Sequence, residues 1–308
     1  MEDGQEAYIL LLLSDSNLPT GSFVASAGLE SYVTHGFFSN LAPAEAISST
    51  STSTSPPDKM DYTVNFLRDS LSTYAHSALP FVTDAHSVTE RYLGRASAPL
   101  SAQDNASRLE STIAQILELD ELYETMTLNH IARRASKSQG VALLTLFSKG
   151  FSKPTLPRHF ESSSDGTTDT ARDSSATALM DRLKLLVRRE DTHGHLPVCW
   201  GILTASLGLS TERSQHLHLF LQARSLLSSS VRLNTIGPYA AQQVLLHAVR
   251  PLVDAEVARA KGLYTGLLPQ ADQQGEDEDT VRGPAMTWPL GEILAARHDL
   301  QHSRIFNS

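Results

Sequence analysis

The chain has 308 residues, enough for one large domain, and 41% of them are hydrophobic while only 6% are aromatic. A formal net charge of −9 argues against a nucleic-acid-binding protein and against charge-driven docking on an anionic membrane. The single cysteine, Cys199, excludes an intrachain disulfide and is typical of a reducing compartment. An acidic start and the lack of a long apolar run predict a cytoplasmic protein without a signal peptide or membrane span.

In chain order, the first apolar run (9–13) is followed by the stretch LPTGSFVASAGLESYVTHG (18–36). Pro19 fixes φ and Gly21 frees it, so the pair predicts a sharp turn between two helices. Phe23 is expected to anchor that turn in the core or at an interface. Gly28 is placed inside the second helix, where it costs about 1 kcal/mol relative to alanine, and close approach of another helix would explain it.

Glu30, two residues after Gly28, is either solvated or paired with an arginine. Arg232 is the candidate partner, because the rest of its helix face is small and apolar. The serines of 225–230 keep that helix narrow, which would permit close helix packing.

Three polar segments predict flexible insertions in a helical framework: 39–58, with eight consecutive Ser/Thr residues, then 152–177, then 269–284 with an acidic run. Each has too little apolar surface to offset the entropy of ordering its backbone. We interpret all three as loops of one helical domain.

Between the insertions the apolar period is helical. Residues 55–90 predict two helices broken near Pro80, and 105–147 predict two helices joined near 136–140 or one long bent helix. A short helix is expected over 178–189, and the apolar segment 196–209 should be buried.

The remaining sequence continues the helical pattern. Ser210 predicts an N-cap, with the following helix ending at Gly237. Pro238 suits the first turn of another helix, which should reach about residue 261 with a kink at Pro251. No alternating strand pattern is present, so the predicted fold is all-α, a single-domain helical bundle.

A search for catalytic patterns finds little. No lysine follows a glycine, which excludes a P-loop, and no G-x-G-x-x-G occurs. Ser26 falls one glycine short of a nucleophile elbow because Val24 precedes it, and the elbow also needs an α/β sheet. A serine hydrolase using Ser26 stays open as a minor alternative. Cys199 lies in an apolar run and is interpreted as structural.

Twelve histidines raise the question of a metal site. His193 and His195 lie in a loop, while His298 and His302 are four apart, which would place them on one face of a final helix. This spacing makes a nickel-binding chaperone an alternative. The carboxylates 120–121 are interpreted as solvated rather than as an acid–base pair. The residues alone therefore indicate an all-α binding or scaffolding protein.

Five blocks in one order resemble the urease accessory protein UreF family. They are ILLLLSDSNLPTGSFVASAGLESYVTHG, ASKSQGVALLTLF, LPVCWGILTASLGLS, SSSVRLNTIGPYAAQQVLLHAV and HDLQHSRIFNS. Together they cover most of the chain outside the insertions, whose low complexity suggests a eukaryotic, fungal member. The chain departs from the family pattern at Ser22, where many members have glycine, and at Val24–Ala25, where they often have an aromatic or histidine.

The resemblance implies an all-α homodimer that is not an enzyme and holds no cofactor itself. It implies an adaptor that binds UreD (also called UreH) and the GTPase UreG, so that the assembly delivers nickel to apo-urease, with control of the GTPase as a proposed family role. It also implies that the tail 297–308 orders when it docks on UreD. The partner-binding residues that the matching blocks suggest are Pro19, Gly21, Phe23, Ser26, Gly28, Glu30, Arg232, Gly237, Gln242, Ser303, Arg304 and Phe306.

Overall fold

A computed structural model describes residues 3–37, 59–94, 102–152, 167–268 and 283–308, and among these no strand occurs. The predicted all-α fold is confirmed. None of the helices in these ranges is long and apolar enough to cross a membrane. The helices are α1 (Asp3–Leu13), α2 (Leu29–Thr34), α3 (Lys59–Gly94), α4 (Ala102–Met126), α5 (His130–Leu146), α6 (Thr167–Arg188), α7 (Leu196–Ser206), α8 (Thr211–Arg232), α9 (Pro238–Val244), α10 (Arg250–Ala260) and α11 (Pro289–Ala296).

The long helix α3 is the centre of the bundle and packs against α4, α7, α8 and α10. The buried apolar helix α7 confirms the prediction for 196–209. A Cβ atom at Gly201 would lie 2.6 Å from the Val82 carbonyl oxygen and 2.9 Å from the His86 nitrogen. Glycine at this position is what lets α7 cross the backbone of α3 at close range.

The predicted break at Pro80 is wrong, because α3 continues through this residue. A proline has no N–H and leaves the carbonyl of the residue four positions earlier without its helical partner. In this fold that carbonyl, on His76, accepts a hydrogen bond from the Ala285 nitrogen at 3.3 Å. A segment more than two hundred residues later therefore replaces the missing bond.

The break predicted at 136–140 lies instead at 127–129, between α4 and α5. Asn129 caps α5, its Oδ1 accepting from the nitrogens of Ile131 (3.0 Å) and Ala132 (3.3 Å). Gly140 is inside the helix, and a Cβ there would overlap the Gly194 carbonyl. This glycine serves close packing and does not end the helix.

The insertion predicted for 152–177 is also corrected. Residues 167–177 form the first turns of α6, so the helix begins well before 178. The apolar face extends back to the buried Ala176, and Arg172 Nη2 donates to the Ala205 carbonyl at 2.9 Å. The segment 39–58, residues 153–166 and residues 269–282 lie outside the described ranges.

The C-terminal third follows the predicted order with one change. Ser210 caps α8, accepting from the Arg213 nitrogen at 3.3 Å, and Pro238 begins α9 as predicted. The helix expected to kink at Pro251 instead passes through a π-helical turn, Leu245–Val249, before α10 begins. Pro251 cannot donate to a carbonyl in that turn, which accounts for the wider backbone path at this point.

Candidate partner-binding site

The stretch 18–36 forms a tight turn and a short helix. Gly21 has φ of 71° and precedes a 3-10 turn, Ser22–Val24, as the Pro–Gly pattern predicts. Gly28 is not inside a helix: it is the N-cap of α2, with φ of 85°. The expected close approach is present, because a Cβ at Gly28 would lie 3.1 Å from the Ala295 Cβ on α11. The Phe23 side chain is outside what the structure describes.

Helix α8 packs along this turn through its serines. Ser225 Oγ donates to the Ser22 carbonyl at 3.3 Å, and Ser229 Oγ donates to the Ala25 carbonyl at 3.4 Å. The narrow, serine-rich face of α8 that the sequence predicts therefore packs against the turn.

Glu30 binds the C-terminal tail, so its predicted pairing with Arg232 is wrong. Glu30 is only 3% exposed. Its carboxylate accepts three hydrogen bonds. The Ile305 nitrogen donates to Oε1 at 2.6 Å, the Phe306 nitrogen donates to Oε2 at 3.2 Å, and His298 Nε2 donates to Oε2 at 3.1 Å. Arg232 lies over the Phe306 ring, with its guanidinium carbon 5.9 Å from the ring centroid.

The tail is folded against its own chain, and the expectation that it orders on docking stays a prediction. The Ser26 nitrogen donates to the Ser308 carbonyl at 2.5 Å, and the Asn307 nitrogen donates to the Val24 carbonyl at 2.9 Å. Phe306 is 2% exposed. The stretch 18–36 and the tail thus form one structural unit, which we call the terminal clasp.

Arg134 on α5, which no sequence pattern singles out, binds the tail from the other side. Its guanidinium donates to both carboxylate oxygens of Asp299, at 2.9 and 3.0 Å, and to the Asn307 carbonyl at 2.8 Å. Arg304 Nη1 also donates to Asp299 at 2.7 Å. The hydrogen bond from Arg134 holds the pKa of Asp299 well below its ordinary value. A basic residue on a helix face does not by itself indicate such a pairing, so the sequence does not predict the contact between Arg134 and Asp299.

The other suggested residues are distributed as follows. Pro19 is exposed beside the turn, and Ser303 and Arg304 are exposed on the tail. Gly237 is the N-cap of α9, and Gln242 is exposed on that helix. Among the described residues, neither of these two makes a hydrogen bond to the terminal clasp.

Ser26 does not have the surroundings of a nucleophile. The residue is fully buried, and within the described ranges its Oγ has no hydrogen-bond partner that could serve as a base. Within the described part of the chain there is also no strand that could supply the sheet an elbow requires. The hydrolase alternative therefore loses its geometric basis.

The structure does not place the paired histidines as the sequence predicts. His298 is buried in a short 3-10 turn against Glu30, while His302 lies beyond that turn and is exposed, so the two do not share a helix face. His195 Nε2 donates to Glu124 at 2.8 Å, and His193 contacts Glu121 at 3.2 Å. In the ranges that can be described, no three His, Cys, Asp or Glu side chains are grouped to hold a metal ion.

Asp120 is buried, so its interpretation as solvated is wrong. Its carboxylate accepts from Thr192 Oγ1 at 2.5 Å and from the nitrogens of His193, Gly194 and His195, each at 2.8 Å. All four donors are more than seventy residues away in sequence, so no local pattern reveals them. The carboxylate fixes the loop that leads into α7.

A cavity of about 200 Å³ lies beneath the terminal clasp, with Tyr74, Trp200, His218 and Trp288 among its lining residues. His218 Nε2 is 2.9 Å from the Tyr74 hydroxyl, and burial lowers the pKa of His218 to about 3. Cys199, close by on α7, is buried as expected, and burial raises the pKa of its thiol. Both side chains are uncharged at neutral pH, which suits packing better than acid–base chemistry.

The described residues thus define an all-α protein whose stretch 18–36 and tail 297–308 are joined into one unit. The UreF family model matches residues 61–249. The chain belongs to the UreF family. It is 42% identical to urease accessory protein 6 of Cryptococcus neoformans var. grubii, covering 99% of this chain and 98% of that one. It is 28% identical to the uncharacterized urease accessory protein UreF-like of Schizosaccharomyces pombe, covering both chains fully, and 26% identical to urease accessory protein F of Oryza sativa, covering 96% and 82%.

Proposed function

We propose that this chain is the adaptor of a cytoplasmic UreD–UreF–UreG complex that supports GTP-dependent insertion of nickel into apo-urease. In this proposal the chain is a homodimer, is not an enzyme, and modulates the GTPase activity of UreG. Nickel is the cargo of the complex, and UreG binds the GTP. Membership of the UreF family and the names of the fungal relatives support the role in urease maturation.

The observation that best supports an adaptor role is the terminal clasp. A buried carboxylate, Glu30, and an arginine, Arg134, hold the tail in one conformation on the surface. A partner that recognises the tail then binds a preformed shape and avoids the entropy cost of ordering a loose peptide. In our proposal this partner is the UreD homologue.

The test is rescue of urease activity in a fungus that still makes apo-urease. Deleting the protein should abolish activity, and adding back the wild-type chain should restore it. A chain lacking 297–308 should neither restore activity nor co-purify with the UreD homologue. Retention of a normal complex by the truncated chain would contradict the role of the tail, and normal urease activity without the protein would contradict the function itself.

A further inference from the structure

The cavity beneath the terminal clasp is walled by parts of the chain that are far apart in sequence. Helices α3, α5, α7 and α8 contribute to its wall, and so do α11 and the turn 22–28. Its volume of about 200 Å³ exceeds the roughly 150 Å³ of an engineered apolar cavity that holds benzene. The space is therefore large enough for one substituted or fused aromatic ring.

Aromatic side chains form much of the wall. Trp200 and Trp288, the two tryptophans of the chain, both line the cavity. Trp288 lies directly against α11, because a Cβ atom at Gly291 would overlap its ring. The ring centroid of His218 is 5.4 Å from that of Tyr74 and 5.4 Å from that of Trp200. Flat surfaces held in place by such packing suit a flat ligand.

The wall carries little charge. Among the described residues that line it, the carboxylates and guanidinium groups are those of Asp15, Arg224 and Glu292. Asp15 is exposed, and Arg224 Nη1 donates to the Ser14 carbonyl. Burial raises the pKa of Glu292 and lowers the pKa of His218 to about 3, so the surroundings of both side chains disfavour charge. A charged ligand would meet the same cost of leaving water.

Two glutamine side chains supply hydrogen-bonding groups. Gln139 on α5 and Gln222 on α8 line the cavity and are half-buried. Within the described ranges, neither amide group makes a hydrogen bond to the protein. Each can offer one carbonyl oxygen and one NH₂ group. The cavity thus has the composition of a small-molecule site, mostly apolar with a few polar groups that fix the orientation of the ligand.

We propose that this cavity is a binding site for an uncharged aromatic molecule of about the size of benzamide or indole that carries one hydrogen-bonding group. The ring of the ligand packs among the aromatic side chains, and its polar group meets the two glutamines. A molecule bound here touches both the helical bundle and α11, so it stabilises the folded chain by mass action. The proposal goes beyond the adaptor role and does not depend on it, because the whole site lies within this chain.

Binding of benzamide to the purified full chain tests the proposal. Benzoate and benzamidinium are the matched controls, since the three molecules have nearly the same size and shape and differ in charge. Calorimetry should give a Kd below about 1 mM for benzamide and affinities at least about tenfold weaker for both ions. Because both tryptophans line the cavity, benzamide should also change the tryptophan fluorescence, with the same Kd.

Variants of the wall locate the binding. Gln222→Leu keeps about the same side-chain size but removes the amide, so benzamide should bind severalfold more weakly. Gln242→Leu is the matched control, because Gln242 is exposed on α9 and does not line the cavity, and it should bind like the wild type. Ala135→Phe places a ring in the cavity and should abolish binding. A urea titration of this variant checks that it is folded.

Three results would overturn the proposal. The first is the absence of benzamide binding to the wild type, and the second is equal affinity for benzamide, benzoate and benzamidinium, which would indicate contact with open surface only. The third is wild-type affinity in Gln222→Leu together with wild-type affinity in a folded Ala135→Phe. If Ala135→Phe does not fold, Gln222→Leu alone decides. None of these results bears on the adaptor role, which the urease rescue tests separately.

Discussion

Replacing Glu30 with glutamine should release the tail while leaving the helical bundle folded. The carboxylate accepts from two backbone nitrogens and from His298 Nε2. A glutamine amide has the same shape but only one acceptor oxygen, and its NH₂ group would face one or two of these donors. One or two of the three hydrogen bonds must therefore be lost at a buried position.

The size of the effect follows from the number of bonds lost. A hydrogen bond to a charged group contributes about 1.5–3 kcal/mol, so loss of one or two such bonds should weaken the attachment of the tail by about 1.5–6 kcal/mol. Since about 1.4 kcal/mol corresponds to a factor of ten, the population with a released tail should rise by a factor between about 10 and about 20,000.

Amide hydrogen exchange measures this population directly. The amides of Ile305 and Phe306 should lose protection by that factor, while amides in the centre of α3 keep theirs. Glu121→Gln is the matched control, because the Glu121 side chain is 66% exposed and its contact with His193 contributes little. Unchanged protection at Ile305 and Phe306 in Glu30→Gln would refute the view that this carboxylate holds the tail.

Three other outcomes are expected. Gly201→Ala should lower the free energy of unfolding by about 2 kcal/mol or more, because the new methyl group meets the α3 backbone. Gly4→Ala is the control: the position has open space around it, so the variant should be nearly neutral in a urea titration. Equal stabilities of the two variants would contradict the close crossing of α7 and α3. Burial lowers the pKa of His218 to about 3, so the unfolded chain gains a proton as the pH falls through about 6.5 while the folded chain does not. This residue should cost about 1 kcal/mol of stability between about pH 7 and pH 5.5, and His218→Gln should flatten the pH profile to that extent; an identical profile in the variant would argue against a buried, neutral imidazole. Because the pKa of Asp299 is lowered by the hydrogen bond from Arg134, its contribution is full above about pH 4 and is lost as the pH falls further. Asp299→Asn should therefore reduce tail protection at neutral pH, with the gap to the wild type narrowing in acid; a gap that stays constant would contradict this assignment.

The sequence predicts the fold class and most helices because their apolar periods and caps are local. Ser210 and Pro238 mark helix starts that the structure confirms. The breaks predicted at Pro80 and Gly140 are wrong because each residue contacts a neighbour distant in sequence. The Ala285 nitrogen replaces the helical hydrogen bond that Pro80 cannot donate. The loop at Gly194 packs directly against Gly140, where a side chain would not fit. Local rules assign breaks at both positions, and tertiary contacts remove them.

In the candidate site, too, local sequence patterns could be predicted but contacts between residues distant in sequence could not. The resemblance pointed to Glu30 and to the tail, but it did not say that they bind each other. Arg134 was missed, and Asp120 was wrongly interpreted as solvated, because their partners lie far along the chain and a charged residue on a helix is usually solvated. Burial of a charge could only be recognised once the donors around it were in place.

The terminal clasp also has a consequence for how the chain is made. Glu30 leaves the ribosome long before residues 298–306, which supply its three donors. Until residues 298–306 have been made, the Glu30 carboxylate lacks the donors that satisfy it in its buried position. The segment 18–36 therefore cannot complete its packing during most of translation. Chains that stop before residue 298 would keep this defect permanently. The fold therefore makes the finished terminal clasp depend on synthesis of the chain through residue 306.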